Sequence, residues 1–167
     1  TESEAKDLQL VMLAALADIV PLVNENRILV RAGIAAINSG KLRPGLAELF
    51  ARLSISGKEV GSADFSWTVI PCLNAAGRLG QSNLALQLLL SENPAERDSL
   101  AEKIISMNEQ RKDLVMNASA VIGKQADDSF EKYQHKLCVV IDERINKGIT
   151  GILASRLVGI YDVPSIA

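Results

Sequence analysis

A chain of 167 residues with 48% hydrophobic and 23% charged side chains carries enough apolar material for a packed core, which excludes a disordered or fibrous protein. Its 18 basic and 20 acidic residues leave a net charge of -2, which excludes a broadly basic surface that grips nucleic acid by unspecific phosphate attraction. One histidine and two cysteines cannot build a His-rich or Cys-rich metal cage from this chain alone.

The first twenty positions begin acidic and hold no long apolar run, so neither a secretory signal nor a membrane span is expected. Residues 4–17 have apolar positions at helical spacing, and Pro21 stops a helix there, leaving Asp18 in the turn that follows. Asn24 is expected to cap a second helix over about 25–38, with Ile28, Leu29, Ala32, Ala35 and Ala36 on its inward side and Gly40 closing it. Pro44 opens a third helix that runs to Leu53. A polar turn over 54–64 leads to an apolar segment, 65–73, a small-residue run, 74–78, and a short leucine-rich helix, 82–90.

Asn93-Pro94-Ala95-Glu96 has the composition of a helix start: a cap, a proline at the first helical position and a glutamate three residues on. Beyond it Leu100, Ile104, Met107, Arg111, Leu114, Ala118 and Val121 alternate spacings of four and three. Arg111 and Ala118 make a poor zipper, so the stripe reads as the buried face of an intramolecular helix ending at Gly123. From Lys136 the pattern changes. KLCVVID has strand composition, 149–161 is helical, and VPSIA is a second strand. This β-α-β order implies a parallel pair, which alone cannot close a sheet, so further strands are expected beyond Ala167. With a start that lacks Met and an apolar end, the sequence reads as a fragment. The expected fold is mainly α with an α/β C-terminal part. Cys72 and Cys138 lie in apolar stretches and are expected as buried free thiols in a reducing, cytoplasmic setting.

Three blocks carry the chemistry: LAALADIVPLVNENRILVRAGI, PCLNAAGRLGQSNLALQLLL and GITGILASRL. By residue type alone Asp18 is a turn or capping group, Arg78 is as readily a salt-bridge partner as a phosphate ligand, and the N–H groups at the helix start over 148–150 are expected to point outward as a weak anion site. Together, in this order and at these separations, the blocks resemble the RecJ-type single-stranded-DNA exonucleases of the DHH phosphoesterase superfamily. That resemblance implies a Mn²⁺- or Mg²⁺-dependent phosphodiesterase removing 5′-terminal nucleotides from single-stranded DNA in recombination and repair. It implies metal ligation, and with it a catalytic role, for Asp18. Nucleic-acid or phosphate contact is implied for Asn74, Gly77, Arg78, Gly148, Thr150, Ser155 and Arg156. Hard divalent ions favour carboxylate oxygen, and two of them can activate water in phosphodiester cleavage. The family's Asp-x-Asp and Asp-His-His ligands do not occur here, so isolated residues 1–167 are expected to be inactive.

The resemblance further implies the C-terminal part of a DHH catalytic domain over 1–91, a connecting long helix over 92–130, and the first β-α-β unit of a DHH-associated domain over 131–167. Two departures stand out: Cys72 replaces a basic residue of the family pattern, and Asn146 stands where the family often has His. His135 precedes a strand and reads as a surface residue. Residues 1–123 hold 12 basic and 14 acidic side chains, and 124–167 hold six of each, so DNA association is expected to be local and salt-sensitive. With one Trp, two Tyr and three Phe there is little material for base stacking. A monomer is expected. The competing readings are a DHH phosphodiesterase for short oligonucleotides or cyclic dinucleotides, and a helical scaffold in which Asp18 merely caps.

Overall fold

A computed structural model describes residues 2–167, which divide into two compact units. The first comprises the residues up to Gly77 together with Gln81–Asn108, and the second Arg78–Gly80 together with Glu109–Ala167. No helix among the described residues is long and apolar enough to cross a membrane.

The first unit is all helical. It contains α1 (Glu2–Ala17), α2 (Asn24–Asn38), α3 (Pro44–Arg52), the single turn α4 (Ser62–Asp64), a π-helical turn (Phe65–Val69), α5 (Ile70–Arg78) except its last residue, and α6 (Asn83–Leu90). The start of α7 (Pro94–Lys132) completes it. Met12, Leu46, Leu49, Phe65, Val69 and Leu88 are fully buried, each contributing ~1.5–3 kcal/mol on removal from water. α1 and α2 lie close because Gly33 has no side chain: a Cβ there would sit 2.6 Å from the Met12 Cβ and 2.8 Å from the Leu8 carbonyl oxygen. The buried face of α2 is therefore Val30, Gly33 and Ile37. This corrects the expected face, since Ile28 is 68% exposed and Ala35 is also exposed. Asn24 does not cap α2 either. It has φ +47 and forms the first residue of the helix, which carries no side-chain cap.

Buried Gln9 joins α1 to the turn between α2 and α3. Its Nε2 donates to the carbonyls of Ala5 and Lys41, and its Oε1 accepts the Arg43 N–H at 2.9 Å. All its polar groups are thus partnered, as burial requires. Asn38 clasps the loop ahead of α4 by exchanging two bonds with the Val60 backbone, at 2.9 and 3.0 Å. The segment expected only to be apolar, 65–73, is helical, and its first five residues form the π-helical turn.

Asn93 caps α7 as expected, its Oδ1 accepting the Ala95 N–H at 3.0 Å. The helix then runs 39 residues to Lys132, past the expected stop at Gly123. Apolar contact continues there through Ile122 and Ala126, so tertiary packing outweighs the helix-breaking tendency of one glycine. The stripe shifts in register on the way: Leu100, Ile104 and Met107 are buried, whereas Val121 is 54% exposed and Ile122 takes its place.

The second unit holds the rest of α7, β1 (Cys138–Val139), a 3₁₀ turn (Lys147–Ile149), α8 (Thr150–Tyr161) and β2 (Ser165–Ile166). β1 and β2 pair in parallel, Cys138 opposite Ser165 and Val139 opposite Ile166. The β-α-β order holds, although the paired stretch is much shorter than KLCVVID. The core is Ile122, Ala126, Cys138, Val140, Ile149, Leu153 and Leu157. The Ser129 hydroxyl fixes β1 to α7 by accepting the Val139 N–H at 2.8 Å. Neither cysteine forms a disulfide and both are buried, and burial pushes the Cys138 thiol pKa up. His135 is at the surface, bonded to Glu131 at 2.9 Å and set against the Phe130 ring.

Candidate metal and nucleic-acid site

In the first unit, Asp18 ends the run of α1, its N–H bonding the Ala14 carbonyl at 3.0 Å. The residue is exposed. Its carboxylate makes no hydrogen bond or ion pair with another described residue, so its oxygens are open to an outside cation. Next to it Ile19 has φ +53 and is 87% exposed, an unusual conformation and setting for a β-branched residue. Among the described residues no group of three or more His, Cys, Asp or Glu side chains is placed to hold a metal ion. Asp18 fits a hard cation as one ligand and does not complete a site.

Asn74 and Gly77 lie on α5 and are exposed, while Ala75 and Ala76 between them are fully buried. The small-residue block therefore has two faces, one packed and one open. Gly77 is not required by packing within the chain, since a Cβ there would meet only the Ser82 Cβ, at 3.9 Å.

In the second unit, the Arg78 guanidinium donates from Nη1 to the Gly148 carbonyl at 3.1 Å. The two backbones are nearly in contact, because a Cβ on Gly148 would stand 1.8 Å from the Arg78 carbonyl oxygen. Arg78 is thus held by a backbone acceptor, and the rest of its donor fork remains exposed. The sequence suggested that N–H groups at the 148–150 turn point outward to an anion. This is corrected for the first two: the Gly148 N–H bonds the Asn146 Oδ1 at 2.8 Å and the Ile149 N–H bonds the Asn146 carbonyl at 3.0 Å. Asn146 caps this turn, a role its position in the sequence did not signal. Thr150 Oγ1 donates to the Lys147 carbonyl at 3.1 Å.

On α8, Arg156 donates from Nη1 to the Ser119 hydroxyl on α7 at 3.1 Å. It lines a cleft of about 350 Å³ with Ser119, Gly123, Ala126, Leu157 and Tyr161. Tyr161 donates to Asp127 at 2.6 Å, which with burial raises its pKa to about 12. Ser155 is exposed and, two residues on from buried Leu153, lies away from the packed face. A smaller hollow of about 180 Å³ is lined by Asn117, Asp142, Arg144, Asn146 and Ile149. There Arg144 holds the Asp142 carboxyl down to about 2 through side-chain and backbone hydrogen bonds. Arg78, Gly148, Thr150, Ser155 and Arg156 thus share one unit, and Asp18, Asn74 and Gly77 the other.

The chain is mainly helical with one parallel β-α-β unit, an exposed aspartate follows α1, and Arg78 and Arg156 are each tethered to a protein oxygen. No family model matches the chain. The single-stranded-DNA-specific exonuclease RecJ of Salmonella typhimurium is 34% identical over 166 residues, 98% of this chain and 29% of that protein. The same exonuclease of Escherichia coli is 32% identical over 98% of this chain and 29% of its own length. The crystal structure of RecJ from Thermus thermophilus in complex with Mn²⁺ matches with a TM-score of 0.84 and 28% identity, over 96% of this chain and 24% of that one. The Mg²⁺ complex of that protein matches with the same TM-score of 0.84. Over nearly its whole length the chain is RecJ-like in sequence and in fold. It spans about 29% of the curated relatives it matches here.

Proposed function

We propose that the chain is the central part of a metal-dependent 5′→3′ single-stranded-DNA exonuclease that acts in recombination and repair. The observation that carries this reading is the RecJ-like match across 98% of the chain, with the unpartnered Asp18 carboxylate inside one of its motif blocks. In this reading 1–91 belongs to a DHH catalytic domain, 92–130 is the connecting helix and 131–167 opens the DHH-associated domain.

Asp18 would be one ligand to Mn²⁺ or Mg²⁺, the remaining ligands coming from outside these residues. Bound there, the ions would supply an activated water and charge stabilisation for the leaving oxygen. The chain's own residues bind and orient. Asn74 offers an uncharged amide on an open face, and Gly77 leaves that face unobstructed. Arg78 and Arg156 each use one donor on a protein oxygen, which orients the guanidinium while leaving donors for phosphate oxygens. Thr150 and Ser155 add hydroxyls.

In the full-length protein, Asp18→Ala should reduce Mn²⁺-dependent hydrolysis of long single-stranded DNA by at least ~100-fold, as expected for loss of a group that holds a catalytic ion. Its thermal transition should be unchanged. Residues 1–167 alone, assayed in parallel, should release no nucleotides. Undiminished cleavage by Asp18→Ala removes Asp18 from the metal site, and turnover restricted to dinucleotides in the wild type replaces the long-strand substrate with a short one.

A further inference from the structure

The single tryptophan of the chain, Trp67, is 84% exposed. It sits at the centre of the π-helical turn, whose first and last residues, Phe65 and Val69, are fully buried. Phe65 is anchored further by the Phe50 ring, 5.9 Å away between centroids. The turn is therefore held from within while the indole faces out. Among the described residues the Trp67 indole makes no ring contact and no hydrogen bond. π-Helical turns inside helices are frequent at functional positions, and this one leads directly into the helix that carries Asn74.

The composition of the exposed face indicates what meets the indole. Pro71 and Asn74 follow Trp67 at spacings of four and three, which places them along the same side of the helix. Pro71 is half-buried and Asn74 is exposed, whereas Ile70, Cys72, Leu73, Ala75 and Ala76 are buried. A seam for another helix would carry Leu, Ile or Val at these outward positions. The residues flanking the ring in the turn, Ser66 and Thr68, are small, uncharged and half-buried. The nearest acidic residue in sequence, Asp64, has its carboxylate turned back onto the Gly61 N–H at 2.8 Å. An isolated aromatic face with an amide alongside is the chemistry of base stacking with an adjacent hydrogen bond.

We propose that Trp67 is a stacking platform for a base of single-stranded DNA, with the Asn74 amide as the hydrogen-bonding group beside it. This rests on the exonuclease reading above and adds a contact to the base where that reading assigned contacts to phosphate.

The test uses full-length protein and a single-stranded oligodeoxynucleotide carrying 5-iodouracil, irradiated in the near ultraviolet and mapped by peptide mass spectrometry. An adduct on Trp67 is the expected result. Trp67→Ala should weaken binding of single-stranded DNA about tenfold, in keeping with loss of one stacked base, and Trp67→Phe should restore most of it. An abasic oligonucleotide should bind the wild type and Trp67→Ala equally, a readout that a purely structural role would not produce. Adducts confined to other residues, or tight binding by a folded Trp67→Ala, overturn the inference. If Trp67→Ala fails to fold, the wild-type adduct decides. Wild type that degrades single-stranded DNA without modification at Trp67 defeats this inference alone; wild type that neither binds nor degrades it defeats the exonuclease reading and this inference together.

Discussion

At Gly148 one stretch of backbone lies directly against another, and the Arg78 side chain closes the contact from the opposite direction. The first residue makes room and the second supplies the bond, at 3.1 Å. A methyl group at 148 would have to occupy the place of the Arg78 carbonyl oxygen, 1.8 Å away, and neither partner is a flexible side chain that can turn aside. Gly148→Ala should therefore cost ~1–3 kcal/mol, the range for forcing extra volume into a packed site. This would be read as a lower urea midpoint at unchanged slope, and a midpoint equal to the wild type would show that the two backbones separate freely. In sequence Gly148 is one glycine in a Gly-rich turn, and its reading as an anion site followed from local pattern. The decisive contact comes from a residue 70 positions away, which no local pattern encodes. Asp18 differs because its meaning lay in the neighbouring residues of its motif block. The metal-ligand role proposed for it rests on that block, and the structure adds only that the residue is exposed.

Among the elements, α7 illustrates where periodicity informs and where it misleads. Leu100, Ile104 and Met107 are buried as their spacing indicates, and the Asn93 cap forms. Gly123 looked like a terminator because glycine is the usual residue beyond a helix end, yet it lies nine residues before Lys132 within a continuous helix. Nothing lies within 4 Å of where its Cβ would be. Gly123→Ala should therefore stabilise the protein by ~0.5–1 kcal/mol through helix propensity, seen as a raised thermal midpoint; a lowered midpoint would mean that the adjoining cleft needs the space. α2 was misread for the opposite reason. Its Ile and Ala residues suggest an apolar face, but the contact with α1 is organised around Gly33, whose importance is the absence of atoms. A hydrophobic pattern gives such a residue no weight. The 3₁₀ turn before α8 was misjudged because Asn146 uses its own amide oxygen and carbonyl on the following N–H groups. That competition is typical of asparagine but depends on its rotamer.

For the molecule as a whole, the order of helices followed by a β-α-β unit was legible from the change in periodicity near Lys136. The extent of the strand pairing was not, because two strands of suitable composition pair only where their backbones meet in register. The likeness to RecJ was legible through the motif blocks together rather than through charge or composition, since the bulk numbers describe a near-neutral helical protein. The distribution of the two cysteines has a practical consequence. Cys72 and Cys138 are both 0% exposed, and one lies in each compact unit. A thiol reagent added under native conditions can reach either sulfur only when the surrounding unit opens. Each residue is then an internal clock for its own half of the chain. Mapping the label site by site should return two separate opening free energies from one unmutated sample, and simultaneous modification of both at every denaturant concentration would show that the halves open as a single cooperative block.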